Sequence, residues 1–111
     1  MKYVEISADL LKCNVAILND TTALDDFLQK ILKQSGMTIV NEVKHTFKPQ
    51  GVSLMYVLAE SHLLFETWPE NEAAVLHVSL CEDKDPSDIV TQIAAHVDCD
   101  DIKINEIIHE F

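Results

Sequence analysis

The sequence predicts an α+β domain, an antiparallel β-sheet with two helices packed on one face, in the order β-α-β-β-β-α-β. Three observations carry that reading. Several short segments alternate apolar with polar residues at a period of two. Two others place apolar residues at helical spacing behind capping residues. Short turn signals separate the strand-like segments of the central stretch, which suits hairpins better than the strand–helix alternation of a parallel sheet.

Lys2 to Leu10 alternates, with Val4, Ile6, Ala8 and Leu10 on one face and Glu5, Ser7 and Asp9 on the other, as a half-buried strand does. Asn19 to Thr22 is rich in capping residues, and Thr22 with Asp25 three positions on resembles a capping box. Leu24, Phe27, Leu28, Ile31 and Leu32 then follow helical spacing, and Gly36 stands where a C-terminal cap belongs, so an amphipathic helix is expected over roughly 22 to 35. Met37 to Phe47 returns to strand character through Ile39, Val40 and Val43. Pro49-Gln50-Gly51 signals a turn into Val52 to Ala59, an almost wholly apolar run that reads as a buried strand. Leu63 to Trp68 alternates more loosely and stops at Pro69, which cannot donate to a ladder. Asn71 to Ala73 reads as a turn and Ala74 to Cys81 as a further strand. Asp85-Pro86-Ser87-Asp88 opens a second helix, with Asp85 as N-cap, Pro86 at the first helical position and an apolar stripe of Ile89, Val90, Ile93, Ala94 and Val97. Ile102, Ile104 and Ile107-Ile108 suggest a last strand that slips register near Glu106.

A chain of 111 residues reads as one domain, 1–111, and 48% hydrophobic residues are ample for its core. Two glycines and three prolines speak against low complexity. The net charge of −11 disfavours nucleic acid and anionic membrane surfaces, and gives a cationic small substrate a modest advantage. Three cysteines without a CxxC, no basic-then-apolar start and no long apolar run imply a cytoplasmic protein with reduced thiols. A core this small gains from pairing with a second copy, so a homodimer is expected.

The dense cluster of reactive side chains lies between Gly51 and Glu70: Ser53, Glu60, Ser61, His62, Glu66, Trp68 and Glu70. A polar triplet between two apolar strands is costly unless it is hydrogen-bonded or has chemistry to do. Ser61 and His62 are neighbours, and neighbouring strand side chains point to opposite faces, so they do not form a nucleophile–base pair. His45, His62 and His77 with nearby carboxylates raise the question of a metal. There is no HExxH and no familiar ligand spacing, so no metal is expected. A serine hydroxyl can, however, attack the carbonyl that precedes it. Ser61 attacking Glu60 would exchange amide for ester, and elimination across Cα and Cβ of Ser61 would then break the chain, leaving a pyruvoyl group at residue 61 after hydrolysis.

The runs Phe47-Lys48-Pro49-Gln50-Gly51-Val52-Ser53, Ala59-Glu60-Ser61-His62 and Thr67-Trp68-Pro69-Glu70, with Cys81 beyond them, resemble in order and spacing the small prokaryotic S-adenosylmethionine decarboxylases. The resemblance covers nearly the whole chain. It implies an antiparallel sheet with helices on one side, paired protomers, and self-cleavage between Glu60 and Ser61. It implies a pyruvoyl cofactor derived from Ser61 that holds the substrate amine as a Schiff base and serves as an electron sink. It further implies that Ser53 holds the carbonyl during processing, that Cys81 returns a proton to the substrate carbon, that Glu70 binds the ribose hydroxyls, and that Phe47 and Trp68 face the adenosyl group. The activity so implied is decarboxylation of S-adenosylmethionine in polyamine synthesis. Arginine or ornithine is the alternative substrate, and an unprocessed homologue binding a nucleoside or a partner chain is the alternative class. Three positions depart from the family: Glu66 stands where it carries the histidine that promotes processing, Glu82 where it carries glycine, and His77 where it commonly carries aspartate.

Overall fold

A computed structural model of the chain describes residues 1–81 and 84–111. Its strands are β1 (Lys2–Leu11), β2 (Ile39–Thr46), β3 (Val52–Leu58), β4 (Ser61–Trp68), β5 (Ala73–Cys81) and β6 (Asp101–Glu110). They form one sheet in the order β2-β3-β4-β5-β1-β6, every pairing antiparallel. The helices are α1 (Val15–Leu18), α2 (Thr21–Gln34) and α3 (Ser87–His96), and a 3-10 turn covers Pro69–Asn71.

Strand alternation decides where the core lies. Ile6, Ala8 and Leu10 of β1, Leu54, Tyr56 and Leu58 of β3, Leu63 and Phe65 of β4, and Leu76, Val78 and Leu80 of β5 are all buried. They join Leu24, Leu28, Ile31 and Leu32 of α2 and Ile89, Val90 and Ile93 of α3 in one cluster. The other face of the sheet is uncovered: Val43, Met55, Val57 and Ile107 on it are exposed. The helices therefore pack on one face, as expected.

Four strands, not three, lie between α2 and α3, because the loosely alternating segment before Pro69 is a full strand of its own. The short α1, capped by Asn14, was not anticipated; four residues carry no readable period. Thr22 and Asp25 do not form a capping box. Asp20 caps α2, its carboxylate accepting from the Ala23 amide at 3.0 Å. Asp25 instead points into the core, where it accepts from the Tyr56 hydroxyl at 2.6 Å, from Lys44 at 2.8 Å and from Gln29 at 3.0 Å. Burial pushes the Asp25 carboxyl up, but these donors outweigh it and hold it below the ordinary aspartate range. Burial, followed by the neighbouring Asp25, raises the Tyr56 hydroxyl. Gly36 does close α2, at φ 78°, with the Met37 amide donating to Leu32. Pro86 takes the N-cap position of α3, one residue later than expected, while the Asp85 carboxylate accepts from the Ser87 amide at 2.9 Å. No slip occurs near Glu106: β6 pairs with β1 without interruption, which turns Ile102, Ile104 and Ile108 to the helix side and Ile107 to the uncovered face.

Candidate active site

β3 and β4 form a hairpin whose connection is two residues, Ala59 and Glu60. Glu60 sits at φ 71°, in the left-handed region that glycine prefers, so the backbone just before the Glu60–Ser61 bond is strained. The Cys81 thiol donates to the Glu60 carbonyl at 3.5 Å. Gly36, Thr38, Glu60, Ser61, Cys81 and Lys84 border a cavity of ≈ 130 Å³ at this corner. The structure thus brings together Glu60, Ser61 and Cys81, across a gap of twenty residues in sequence, by pairing β4 with β5.

The remaining candidates lie elsewhere. Ser53 is directly opposite Glu66 in the β3–β4 register, and both face the uncovered side. With Phe47, Trp68 and Glu70 they line a second cavity of ≈ 290 Å³. Its wall is fixed by a short network: Val52 donates to Thr67 Oγ1 at 3.0 Å, Thr67 donates to the Leu18 carbonyl at 2.9 Å, and Gly51 donates to Asn19 Oδ1 at 3.1 Å. Gly51 adopts φ 105°, and a Cβ there would meet the Thr67 carbonyl at 3.3 Å, so the turn that presents Phe47 requires glycine. From Ser61 to Glu66 is five residues of extended strand, about 16 Å at ~3.3 Å per residue. An odd separation also puts the two side chains on opposite faces. Within one chain, Glu66 cannot reach the Cα proton of residue 61, nor does it lie beside Glu60.

His45, considered in the sequence only as a metal ligand, is directly opposite Ser53 on its other flank, and its ring meets Phe47 edge-on at 4.5 Å. His62 points away from Ser61 to the uncovered face, where its Nδ1 lies 2.9 Å from Ser79 Oγ. His77 and Glu5 share that face. A hydrogen bond from His109 chiefly holds Glu5 below the ordinary glutamate range. None of these groupings is visible in sequence spacing; each is made by register. Glu82 lies outside the described residues.

The family model for S-adenosylmethionine decarboxylase matches residues 4–110. An S-adenosylmethionine decarboxylase proenzyme of Syntrophomonas wolfei is 35% identical over 92% of this chain and 82% of its own length. One of Prochlorococcus marinus is 42% identical over 68% of this chain and 61% of its own length. The crystal structure of an adenosylmethionine decarboxylase from Aquifex aeolicus superposes with a TM-score of 0.80 over 97% of this chain and 88% of that one, at 24% identity, a likeness of fold.

Proposed function

Because the chain belongs to the S-adenosylmethionine decarboxylase family, we propose that it is a proenzyme that cuts itself between Glu60 and Ser61 and then decarboxylates S-adenosylmethionine for polyamine synthesis. The observation that carries the processing reading is the Glu60 carbonyl, which follows a left-handed φ and receives the Cys81 thiol at 3.5 Å. Attack by Ser61 Oγ develops negative charge on that oxygen, where a positioned donor is worth most. The serine proton passes to the departing amide nitrogen, giving an ester and a free amine. Loss of the Cα proton of residue 61 then expels the Glu60 carboxylate. Water replaces the nitrogen as ammonia, leaving a pyruvoyl group at residue 61.

The pyruvoyl carbonyl supplies an electron sink when the substrate carboxyl leaves. The chain's own groups do the rest. Cys81 stands at the same corner and returns a proton to the substrate carbon. Glu70 accepts two hydrogen bonds from a vicinal diol, and Phe47 and Trp68 offer aromatic faces to a cationic nucleoside. A cavity of ≈ 290 Å³ with two aromatics and a carboxylate supports the nucleoside over a bare amino acid such as arginine or ornithine.

The separation along β4 gives the homodimer a chemical role. Ser61 with Cys81 stands at one end of the strand, and Ser53, Glu66, Trp68 and Glu70 at the other. A second copy laid antiparallel on the uncovered face brings one end of each protomer over the other end of its partner. Each site is then built from both chains, and the exposed Val43, Met55 and Val57 are buried. The uncleaved, nucleoside-binding alternative draws on one observation, Glu66 in place of an imidazole beside Ser53.

Mass measurement of the denatured protein tests processing. Two chains divided after Glu60, with CO2 released from the carboxyl carbon of S-adenosylmethionine, is the expected result. An intact chain that binds the nucleoside without turnover would overturn the proposal in favour of the alternative.

A further inference from the structure

Three ligand-bearing side chains that are far apart in sequence meet in the middle of the uncovered face. Glu5 on β1, His62 on β4 and His77 on β5 come from three adjacent strands. Each offers one ligand atom, and these atoms lie within 4.8 Å of one another. All three are half-buried. From this geometry we infer that Glu5, His62 and His77 bind one divalent transition cation of the zinc class, at a site apart from the pyruvoyl corner and the aromatic cavity and on the face that the proposed pairing covers.

Two imidazoles and a carboxylate are the donor set such an ion takes, and a hard cation such as magnesium would favour oxygen donors instead. Small side-chain rotations bring the atoms from their present separation to the ~2.0–2.2 Å metal–ligand distances of that class. The surroundings already orient the ligands. Tyr3 donates to Ser79 Oγ at 2.7 Å, and that oxygen lies 2.9 Å from His62 Nδ1 and 3.2 Å from Nε2. A serine oxygen has two acceptor sites, so it can take both the Tyr3 proton and one ring N–H of His62. The second ring nitrogen also lies near Ser79 Oγ, so a turn of the ring about its hydrogen bond is what offers its lone pair to the ion. His109 Nε2 holds one Glu5 oxygen at 3.0 Å, which leaves the second oxygen for the metal. A ligating carboxylate that is itself hydrogen-bonded in this way is oriented by its outer partner. The net charge of −11 favours any cation at the surface, so the specific evidence is the three-strand convergence rather than the charge.

The competing account is a network of shared protons with no ion. Untagged, chelator-treated protein titrated with Zn²⁺ by calorimetry separates the two. One ion per chain is expected. His77→Ala and Glu5→Gln should each weaken binding by at least about a hundredfold, since each removes a direct ligand and loss of an outer support alone costs about tenfold to a hundredfold. Co²⁺ should give visible bands of nitrogen and oxygen coordination without a thiolate charge-transfer band. Absence of saturable binding, binding unchanged in both variants, or a thiolate band would each overturn the inference. Glu5→Gln keeps shape and hydrogen bonding, so it reports even if His77→Ala folds poorly; circular dichroism checks both. Because the readout is ion binding, it stands or falls independently of cleavage and decarboxylation.

Discussion

Mixing two inactive variants should restore activity. Take Cys81→Ala, which removes the proposed proton donor, and Glu70→Gln, which removes the proposed diol acceptor. The strand between Ser61 and Glu66 spans about 16 Å, whereas a proton donor or a binding carboxylate must lie within about 3 Å of its target. Groups at the two ends of β4 therefore cannot serve one small substrate from a single chain. In a dimer of the proposed arrangement, a mixed pair has one site with both defects and one with neither. Random re-association at equal concentration makes about half the dimers mixed, so the mixture should recover about a quarter of wild-type activity per chain. The assay is CO2 release after the two variants are unfolded and refolded together, against each refolded alone. Sites contained within one chain would leave every site with one defect, and a mixture no more active than its separate components would refute the two-chain site.

Three further outcomes follow from the geometry. Cleavage of the wild-type chain should be slow and pass through accumulated ester, detected as a cut by hydroxylamine between Glu60 and Ser61, and Glu66→His should speed it; rapid complete cleavage of wild type with slower Glu66→His would show that the glutamate is a competent base. Glu60→Gly should relieve the left-handed strain, stabilising a non-cleaving Ser61→Ala background by about 1 kcal/mol in denaturant titrations, and should slow cleavage when Ser61 is present; faster cleavage would contradict a role for the strained turn. Asp25 has its folded pKa below the unfolded one, so its contribution is present above the ordinary aspartate value of about 3.9 and is lost as pH falls through the folded value. Tyr56→Phe should cost about 1–3 kcal/mol at pH 7 and flatten the acid limb of the stability curve; an unchanged acid limb would remove Asp25 from the account.

Local periodicity was legible wherever one face of an element is dry. The alternation of Ile6, Ala8 and Leu10 and the stripe of Leu24, Leu28, Ile31 and Leu32 both match burial, because water and core impose the pattern residue by residue. Asp25 shows where that logic ends. Its position three residues after Thr22 imitates a cap, but its partner is Tyr56, 31 residues away, and only the tertiary fold supplies it. The same holds for Glu5, His62 and His77, whose meeting depends on the pairing of β1, β4 and β5.

The candidate site teaches the sharper lesson about contiguity. Residues 47 to 70 carry almost every group that the resemblance assigns, and in sequence they look like one site. An extended strand advances about 3.3 Å per residue and alternates faces, so the same continuity that makes the motif recognisable stretches its chemistry along the whole length of β4. Cys81, the most distant in sequence, is the one drawn back to the Glu60 carbonyl. The strand that separates the two groups also borders the uncovered face, and in the proposed dimer a two-fold axis through that face would exchange the ends of β4. The proposed pairing would serve the chemistry as well as the burial: it would join what a single chain of this length keeps apart.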